Sequence, residues 1–266
     1  MPHARRALLA LLVLLLPLPA TAQTAASVVE AMKARYEAQL ATVDDYVIVT
    51  DLYTTYHRKI TQNGQSTYET ATRMTGASDQ LSALGTAPTS TVMDATYLDR
   101  LAQHATYAGT ETLNGATCHV LQIDDPSALH DDVDATAQDM RYYVDAQTDV
   151  PVRIHMTMAP SSSGNGPSTF TIDFADYRTV KGLTLPYQMV MQMDLGLSAE
   201  QQKQMEQLQR QLEQMPERQR KQMERMMGDR FKQLEQMMAG KPTTIAVQSV
   251  QVNEGIPEGV FDSDGA

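Results

Sequence analysis

The sequence predicts an α+β protein made mainly of antiparallel β-strands. Many short segments alternate apolar and polar residues, which is typical of strands with one buried face. Asparagine-glycine and lysine-glycine pairs separate several of these segments, as they do in β-hairpins. Apolar residues spaced three or four apart are confined to a few stretches, which predict helices. A sheet with this many consecutive hairpins has to curve, and its inner face needs a cover.

The first 22 residues have the pattern of a secretory signal peptide. Arg5 and Arg6 precede an apolar run, Ala7–Leu16, that is too short to cross a bilayer. A small-residue cleavage pattern ends at Ala22, and no cysteine directly follows it for attachment of a lipid. We therefore expect an exported, periplasmic chain that forms one domain over residues 23–266.

The first elements after this leader are a helix and a hairpin. Helical spacing of apolar residues predicts an amphipathic helix over Ala25–Thr42. The period then changes to two, and strands over Tyr46–Thr61 and Gln65–Thr75 flank Asn63-Gly64, the strongest hairpin signal in the chain. A second, weaker helix is expected within Ser90–Thr106.

A β-meander is predicted after the second helix. Asn114-Gly115 and Lys181-Gly182 mark two of its turns, and Asp124–Thr136 forms an acidic loop. The predicted strands are Tyr107–Leu113, Thr117–Ile123, Gln138–Asp145, Pro151–Met158, Thr169–Val180, Leu183–Leu195 and Thr243–Val252.

A segment of different composition, Ser198–Gly240, separates the last two strands. It is rich in Gln, Met, Arg and Glu, and two stripes of apolar residues run through it at helical spacing. Ser198 with Gln201 resembles a capping box, and Pro216 suits the start of a second helix. We interpret the segment as an inserted α-helical hairpin. Its stripes either close on each other, cover the sheet as a lid, or form an arm that docks a partner.

Two predicted strands have an apolar face that consists largely of methionine, the least shape-specific apolar side chain. If helices cover this face fully, the methionines are ordinary core. If the cover is loose, a cavity remains, which costs about 24 cal/mol per Å³ unless a ligand fills it. An acyl chain fills such a space at about 0.8 kcal/mol per buried methylene. The candidate ligand-binding residues are Ile154, Met156, Met158, Phe170, Ile172, Phe174, Tyr187, Met189, Met191 and Met193.

Composition argues against nucleic acid as a partner. The chain has 21 basic and 32 acidic residues and a formal net charge of −11, which removal of a leader containing Arg5 and Arg6 would bring to −13. Cys118 is the single cysteine, so the chain has no intramolecular disulfide, and its apolar neighbours predict a buried thiol on a strand.

Motifs for catalysis or metal binding are not evident in the sequence. The histidines after the leader are isolated from one another, and no phosphate-binding loop, nucleophile elbow or dinucleotide fingerprint is present. The acidic segment His130-Asp131-Asp132-Val133-Asp134 lacks the glycine and the terminal glutamate of a calcium loop, which favours a solvated loop. We therefore predict a protein that is not an enzyme and that has no cofactor and no metal.

Several short stretches resemble the outer-membrane lipoprotein-sorting family, the LolA-like periplasmic carriers. The most telling are Tyr177–Pro186, with the sequence YRTVKGLTLP, and Val252–Pro257, with the sequence VNEGIP, followed by Phe261. Gly115–Leu121 and Tyr142–Asp145 also look like central strands of that family. The resemblance extends from about Ala25 to Phe261 and excludes the helical insertion.

This resemblance implies a curved, half-open β-barrel closed by helices, with a hydrophobic cavity for the acyl chains of lipoproteins or other lipids. It further implies an inner-membrane ABC transporter complex as donor and an outer-membrane acceptor. The family has a gating arginine on an early strand. Arg58 and Arg73 both lie on early strands here, and no local motif decides between them.

Three functions follow as hypotheses. The first is a periplasmic carrier of lipid chains for transfer towards the outer membrane. The second is a non-enzymatic envelope sensor or assembly module that uses the same fold, with the helical hairpin as its partner-binding surface. The third is an envelope hydrolase whose residues only the fold brings together.

Overall fold

The computed structural model describes residues 23–62, 64–74, 95–129, 137–159, 166–194, 196–197 and 242–262, with six further helical positions between residues 200 and 210. The predicted signal peptide and the acidic segment 130–134 lie outside the described residues. Most of the predicted helical insertion does as well, and the six helical positions agree with the start of its first helix. No helix in the described ranges is both long enough and apolar enough to cross a membrane.

Helix α1 spans Ala25–Leu40, close to the predicted range. Its N-terminus is a capping box: the hydroxyl of Thr24 accepts a hydrogen bond from the Ser27 amide at 3.1 Å, and the Ser27 hydroxyl accepts one from the Thr24 amide at 3.0 Å. The buried side chains of α1 recur at helical spacing along one stripe, which consists of Ala25, Val28, Val29, Met32, Tyr36 and Leu40. This stripe packs against the sheet.

Ten strands form one antiparallel sheet in the order β3-β2-β1-β10-β9-β8-β7-β6-β5-β4. The sheet is open, because the described residues show no pairing between its outer strands β3 and β4. The antiparallel α+β class is thus confirmed, whereas closure into a half-open barrel stays a prediction. The strands are β1 Asp45–Thr50, β2 Tyr53–Gln62, β3 Gln65–Met74, β4 Thr106–Leu113, β5 Ala116–Ile123, β6 Ala137–Asp145, β7 Pro151–Met158, β8 Ser168–Val180, β9 Leu183–Asp194 and β10 Thr243–Val252.

The prediction of one long strand over Tyr46–Thr61 was wrong, because the chain reverses at residues 51–52 to form β1 and β2. The cause is the buried side chain of Thr50. Its hydroxyl accepts hydrogen bonds from the amides of Leu52 and Tyr53 and donates one to the Tyr53 carbonyl at 2.9 Å. These bonds provide partners for the backbone polar groups of the turn, which therefore forms without the glycine or asparagine that usually marks a hairpin.

The predicted glycine-containing turns are confirmed. Asn114 and Gly115 have φ values of 51° and 86°, and Lys181 and Gly182 have 48° and 91°. Positive φ at both central residues matches the twist of the flanking strands. At Gly182 the lack of a side chain has a further use, because an added Cβ would lie 2.8 Å from the Thr42 hydroxyl, just beyond α1.

The core lies between one face of the sheet, called here the covered face, and the two helices. Helix α2, Ala95–His104, contributes buried Tyr97, Leu98 and Leu101. Its position beside α1 is supported by an ion pair of 2.7 Å between Lys33 and Asp99. On the opposite face, Cys118 is fully buried with Val120 and Tyr143, as predicted for a strand thiol.

Asn253 joins the end of α1 to the first and last strands. Its side-chain oxygen accepts hydrogen bonds from the amides of Asp44 and Asp45, at 2.7 and 3.3 Å, and its side-chain nitrogen donates to the Thr42 carbonyl at 2.9 Å. Its φ of 55° is left-handed, a conformation that asparagine tolerates better than most residues. This small network fixes the C-terminal end of α1 relative to the sheet.

We expect Asn253→Ala to lower the free energy of unfolding by about 2–3 kcal/mol, because it removes these hydrogen bonds and places a Cβ-bearing residue in left-handed backbone. Asn253→Gly should cost about 1 kcal/mol less than the alanine variant, since it relieves the backbone strain only. Urea denaturation measures both. Asn114→Gly, at a left-handed turn position, is the control and should be nearly neutral. Wild-type stability of Asn253→Gly would show that the side-chain bonds contribute nothing.

Candidate functional site

A cavity of about 230 Å³ lies between α1 and the covered face of the sheet, and it is partly open to solvent. Helix α1 contributes one side of it through Met32, Arg35, Tyr36 and Gln39. Leu98 of α2, Tyr142 of β6 and the β6–β7 turn also contribute, and most of the remaining lining comes from two separate regions of the sheet with different chemistry. We call them the polar wall, on β1 and β2, and the apolar wall, on β7 to β10.

The polar wall consists of Tyr46, Thr55 and His57, together with Ile48 and Tyr53. The rings of Tyr46 and His57 are stacked, with centroids 4.1 Å apart and planes 8° from parallel. This stack follows from the register, because Tyr46 and His57 are directly paired across β1 and β2. The Nδ1 atom of His57 and the hydroxyl of Thr70 are 3.0 Å apart and form a hydrogen bond.

Burial shifts the pKa values of both rings in the polar wall. His57 is only 1% exposed, and loss of solvation lowers its pKa to about 3, so its ring is neutral at physiological pH. Burial also raises the pKa of Tyr46 well above the ordinary value, and the neighbouring Tyr68 and Tyr36 act in the same direction. The polar wall therefore offers hydrogen-bonding groups without a formal charge.

The apolar wall is formed mainly by Ile154, Phe174, Leu183, Leu185, Met189 and Val247. Phe174 and Met189 are cross-strand partners on β8 and β9, and Met189 is also paired with buried Ile245 of β10. These side chains present aliphatic and aromatic surface to the cavity, which suits a hydrocarbon chain.

Charged groups occur at the rim of the cavity. The guanidinium of Arg35, an exposed residue of α1, donates a hydrogen bond of 3.0 Å to the Thr148 carbonyl in the β6–β7 turn. Asp149 from the same turn also lines the cavity. Tyr177 donates a hydrogen bond to the Pro151 carbonyl; burial raises its pKa, and the charge of Arg35 opposes that shift.

Three of the ten sequence-predicted ligand-binding residues, Ile154, Phe174 and Met189, line this cavity. Ile172 is buried at 3% exposure, next to Ile154 in the pairing of β7 and β8. The other six are half-buried and lie outside the lining of the cavity. They are Met156, Met158, Phe170, Tyr187, Met191 and Met193.

Five of these half-buried residues continue the covered face away from the cavity. Met156 is paired with Phe170, and Phe170 with Met193, so the three side chains form a row across β7, β8 and β9. Met191 is paired with Ile172 in the neighbouring row. We call Met156, Met158, Phe170, Met191 and Met193 the methionine strip. Tyr187 differs, because the Arg178 guanidinium lies 4.2 Å from the centre of its ring.

The sequence analysis did not identify the polar wall. Tyr53, Thr55 and His57 alternate along β2, and a period-two reading could have placed them on one face. One continuous strand over Tyr46–Thr61, as the sequence predicts, would place Tyr46 and His57 on opposite faces of the sheet. The turn at residues 51–52 brings Tyr46 opposite His57, which no local pattern shows.

Neither early arginine lines the cavity. Arg58 pairs with Glu69 and lies over the ring of Phe261, 4.3 Å from its centre. Arg73 donates a hydrogen bond of 3.2 Å to the Gly259 carbonyl. Both therefore contact the C-terminal segment or the adjacent strand. In the part of the chain that the structure describes, no group of three or more His, Cys, Asp or Glu side chains could hold a metal ion.

The depressed pKa of His57 predicts a loss of stability at mildly acidic pH. The unfolded chain takes up a proton near pH 6.5 and the folded chain only near pH 3, so stability falls as the pH drops through this interval. Between pH 7 and pH 5, His57 should lower the free energy of unfolding by about 2 kcal/mol.

Urea denaturation of wild type, His57→Gln and His104→Gln at both pH values measures this effect. We expect His57→Gln to be less stable at pH 7 but to lose about 2 kcal/mol less than wild type on acidification. His104 is exposed at the end of α2, and its variant should keep the wild-type dependence. Equal pH dependence of wild type and His57→Gln would contradict the assignment of a buried neutral ring.

No protein-family model matches the chain, and no curated protein is similar to it at the sequence level. Solved structures are similar over most of its length. A DUF1329 family protein from Desulfovibrio piger has 9% identity and a TM-score of 0.47, and the match covers 91% of this chain and 98% of that one.

Two further structures bear names related to lipoprotein sorting. A putative outer membrane lipoprotein-sorting protein domain from Vibrio parahaemolyticus has 11% identity and a TM-score of 0.44, with 90% of this chain and 96% of that chain covered. The LolA superfamily protein NE2245 from Nitrosomonas europaea has 14% identity and a TM-score of 0.43, with 91% and 99% covered. Names related to the family that the sequence resembles thus occur among these structures.

Proposed function

We propose that this protein is a periplasmic carrier that binds the acyl chains of lipoproteins or other lipids and moves them towards the outer membrane. The observation that supports this most directly is the cavity of about 230 Å³ under α1, whose apolar wall continues into the methionine strip. Export of the chain to the periplasm is inferred from the signal peptide that the first 22 residues predict. An ABC transporter complex as donor and an outer-membrane acceptor belong to the proposal through the family resemblance.

The apolar wall of the cavity is costly to leave in contact with water. A dry void of 230 Å³ in a protein core would destabilise the fold by about 5.5 kcal/mol, at about 24 cal/mol per Å³, which is an upper limit for a cavity that is partly open to solvent. Each methylene of a hydrocarbon chain that enters contributes about 0.8 kcal/mol. A chain of several methylenes therefore offsets the cost, and a polar metabolite of the same size does not.

The methionine strip suits a ligand of variable shape. Its side chains are half-buried, so they already exclude part of the solvent but still leave apolar surface that a longer chain can cover. Methionine has three rotatable bonds and a polarizable sulfur, and it repacks around different partners at little cost. A carrier that accepts chains of different length benefits from such a surface.

Lipid uptake by the purified full chain tests this proposal. After equilibration with phosphatidylglycerol vesicles, native mass spectrometry should show bound lipid, and the fluorescence of N-phenyl-1-naphthylamine should rise when this neutral apolar probe enters the cavity. Met189→Glu should weaken probe binding at least tenfold, because it places a carboxylate in the apolar wall.

Gln188→Glu is the matched control for this variant. Gln188 is the preceding residue of β9, is exposed, and points to the opposite face of the sheet, so its variant adds the same charge outside the cavity. It should bind lipid and probe as wild type does. Empty protein after lipid exposure, or equal binding by the two glutamate variants, would overturn the proposed function.

A further inference from the structure

Three polar groups of residues that line the cavity on the polar wall form no side-chain hydrogen bond to another residue that the structure describes. They are the Tyr46 hydroxyl, the Thr55 hydroxyl and the Nε2 atom of His57, in residues that are 3%, 2% and 1% exposed. Nδ1 of His57 is occupied by Thr70, which leaves Nε2, on the other side of the ring, for a further partner. A polar group on the wall of a partly open cavity bonds to water or to a ligand group that replaces the water.

Two hydroxyl groups that line the cavity outside the polar wall have protein partners. The Tyr142 hydroxyl is hydrogen-bonded to that of Tyr97, and the Tyr177 hydroxyl donates to the Pro151 carbonyl. The hydrogen-bonding groups that remain for a ligand therefore lie on one wall. The sheet places them together, because Tyr46 is paired with His57 and Ile48 with Thr55 across β1 and β2.

We propose that Tyr46, Thr55 and His57 bind the uncharged hydrogen-bonding head of an amphiphile whose hydrocarbon tail lies along Phe174 and Met189. This inference rests on the proposed function and specifies its ligand class: a lipid with an ester, hydroxyl or amide group next to its chain. Hydroxyl groups donate and accept, and neutral imidazole offers one donor and one acceptor, so the three groups together match a carbonyl or hydroxyl oxygen.

The polar wall does not suit a carboxylate or phosphate. An anion that enters it leaves water without meeting a formal positive charge, which is strongly unfavourable. The low pKa of His57 supports this, since the ring resists the proton that would supply such a charge. The nearest cation lining the cavity is Arg35, at the exposed rim on α1 and already bonded to Thr148.

Competition with N-phenyl-1-naphthylamine on the purified full chain tests the ligand class. The competitors are four compounds that share a twelve-carbon chain: dodecane, methyl dodecanoate, monododecanoylglycerol and dodecanoate at pH 7. We expect the ester and the monoglyceride to have Kd values at least tenfold lower than that of dodecane. Dodecanoate should bind at least tenfold more weakly than its methyl ester.

Variants locate the effect on the polar wall. Tyr46→Phe and Thr55→Val each remove one hydrogen-bonding group with little change of shape, and each should reduce the preference for the ester over dodecane severalfold. Thr54→Val is the control, because Thr54 lies on the opposite face of β2 and is half-buried. It should keep the full preference.

The outcomes separate this inference from the proposed function. Equal affinity for dodecane and the ester would overturn the head-group site and leave the apolar carrier intact. Tightest binding of dodecanoate would overturn the uncharged head and assign an anionic one. Failure of the probe and of all four compounds to bind would overturn both. The ligand series on wild type decides the matter even if a variant fails to fold.

Discussion

The described part of the structure depends on how little of the sheet α1 and α2 cover. Ten strands at about 4.8 Å spacing extend over roughly 43 Å, whereas α1, with 16 residues, is about 24 Å long. Helix α2 is shorter and packs beside α1, so the two helices share one region of the covered face. Within the described residues, this leaves the cavity under α1 and the half-buried methionine strip beyond it. The cavity and the methionine strip therefore both result from the difference in size between the sheet and the two described helices.

An uncovered apolar face normally collapses onto its neighbours, and here the attachment of α1 opposes collapse. Asn253 holds the chain after α1 through the Thr42 carbonyl, and Lys59 donates a hydrogen bond to the Leu40 carbonyl at 3.0 Å. The hydrogen bond from Arg35 to the Thr148 carbonyl connects the helix to the β6–β7 turn. These polar contacts lie at the rim of the cavity and at the C-terminal end of the helix, so they hold its position without filling the space beneath it. The cavity is thereby preorganised for a ligand.

Local sequence signals predicted most of the fold, because hairpins are encoded by short-range chemistry. Asn114-Gly115 and Lys181-Gly182 form the expected turns with positive φ, and the alternation around them gave strand limits that mostly agree within one residue. The turn after Thr50 was missed, since a threonine side chain supplies its hydrogen bonds and leaves no glycine signal. Pairing of β1 with β10, about 200 residues apart, has no local signal at all.

The residues of the candidate site also divide into those that local sequence patterns predict and those that only the fold brings together. Ile154, Phe174 and Met189 were predictable because each lies on a strand with an apolar alternation of its own. The polar wall was not, because Tyr46 and His57 become neighbours only through the unpredicted turn. The sequence around a single histidine does not show whether the ring is buried. The hydrogen-bonding role of each ring nitrogen depends on the atoms that surround it in the fold. Part of the apolar wall was therefore predictable from the sequence, and the polar wall, which we propose selects the ligand, was not.

Strand β10 connects the two walls, because it pairs with β9 along one half and with β1 along the other. Its first residues, Thr243–Ala246, pair with β9, and the residues from Val247 to Val252 pair with β1. Each neighbour thus uses a different half of one ten-residue strand, so the sheet is strongly offset where the polar wall on β1 and β2 joins the apolar wall on β8 and β9. Val247, at the change of partner, itself lines the cavity. The offset sets uncharged polar groups and hydrocarbon surface side by side in one cavity, and such a pair of surfaces is complementary to an amphiphile rather than to a pure hydrocarbon.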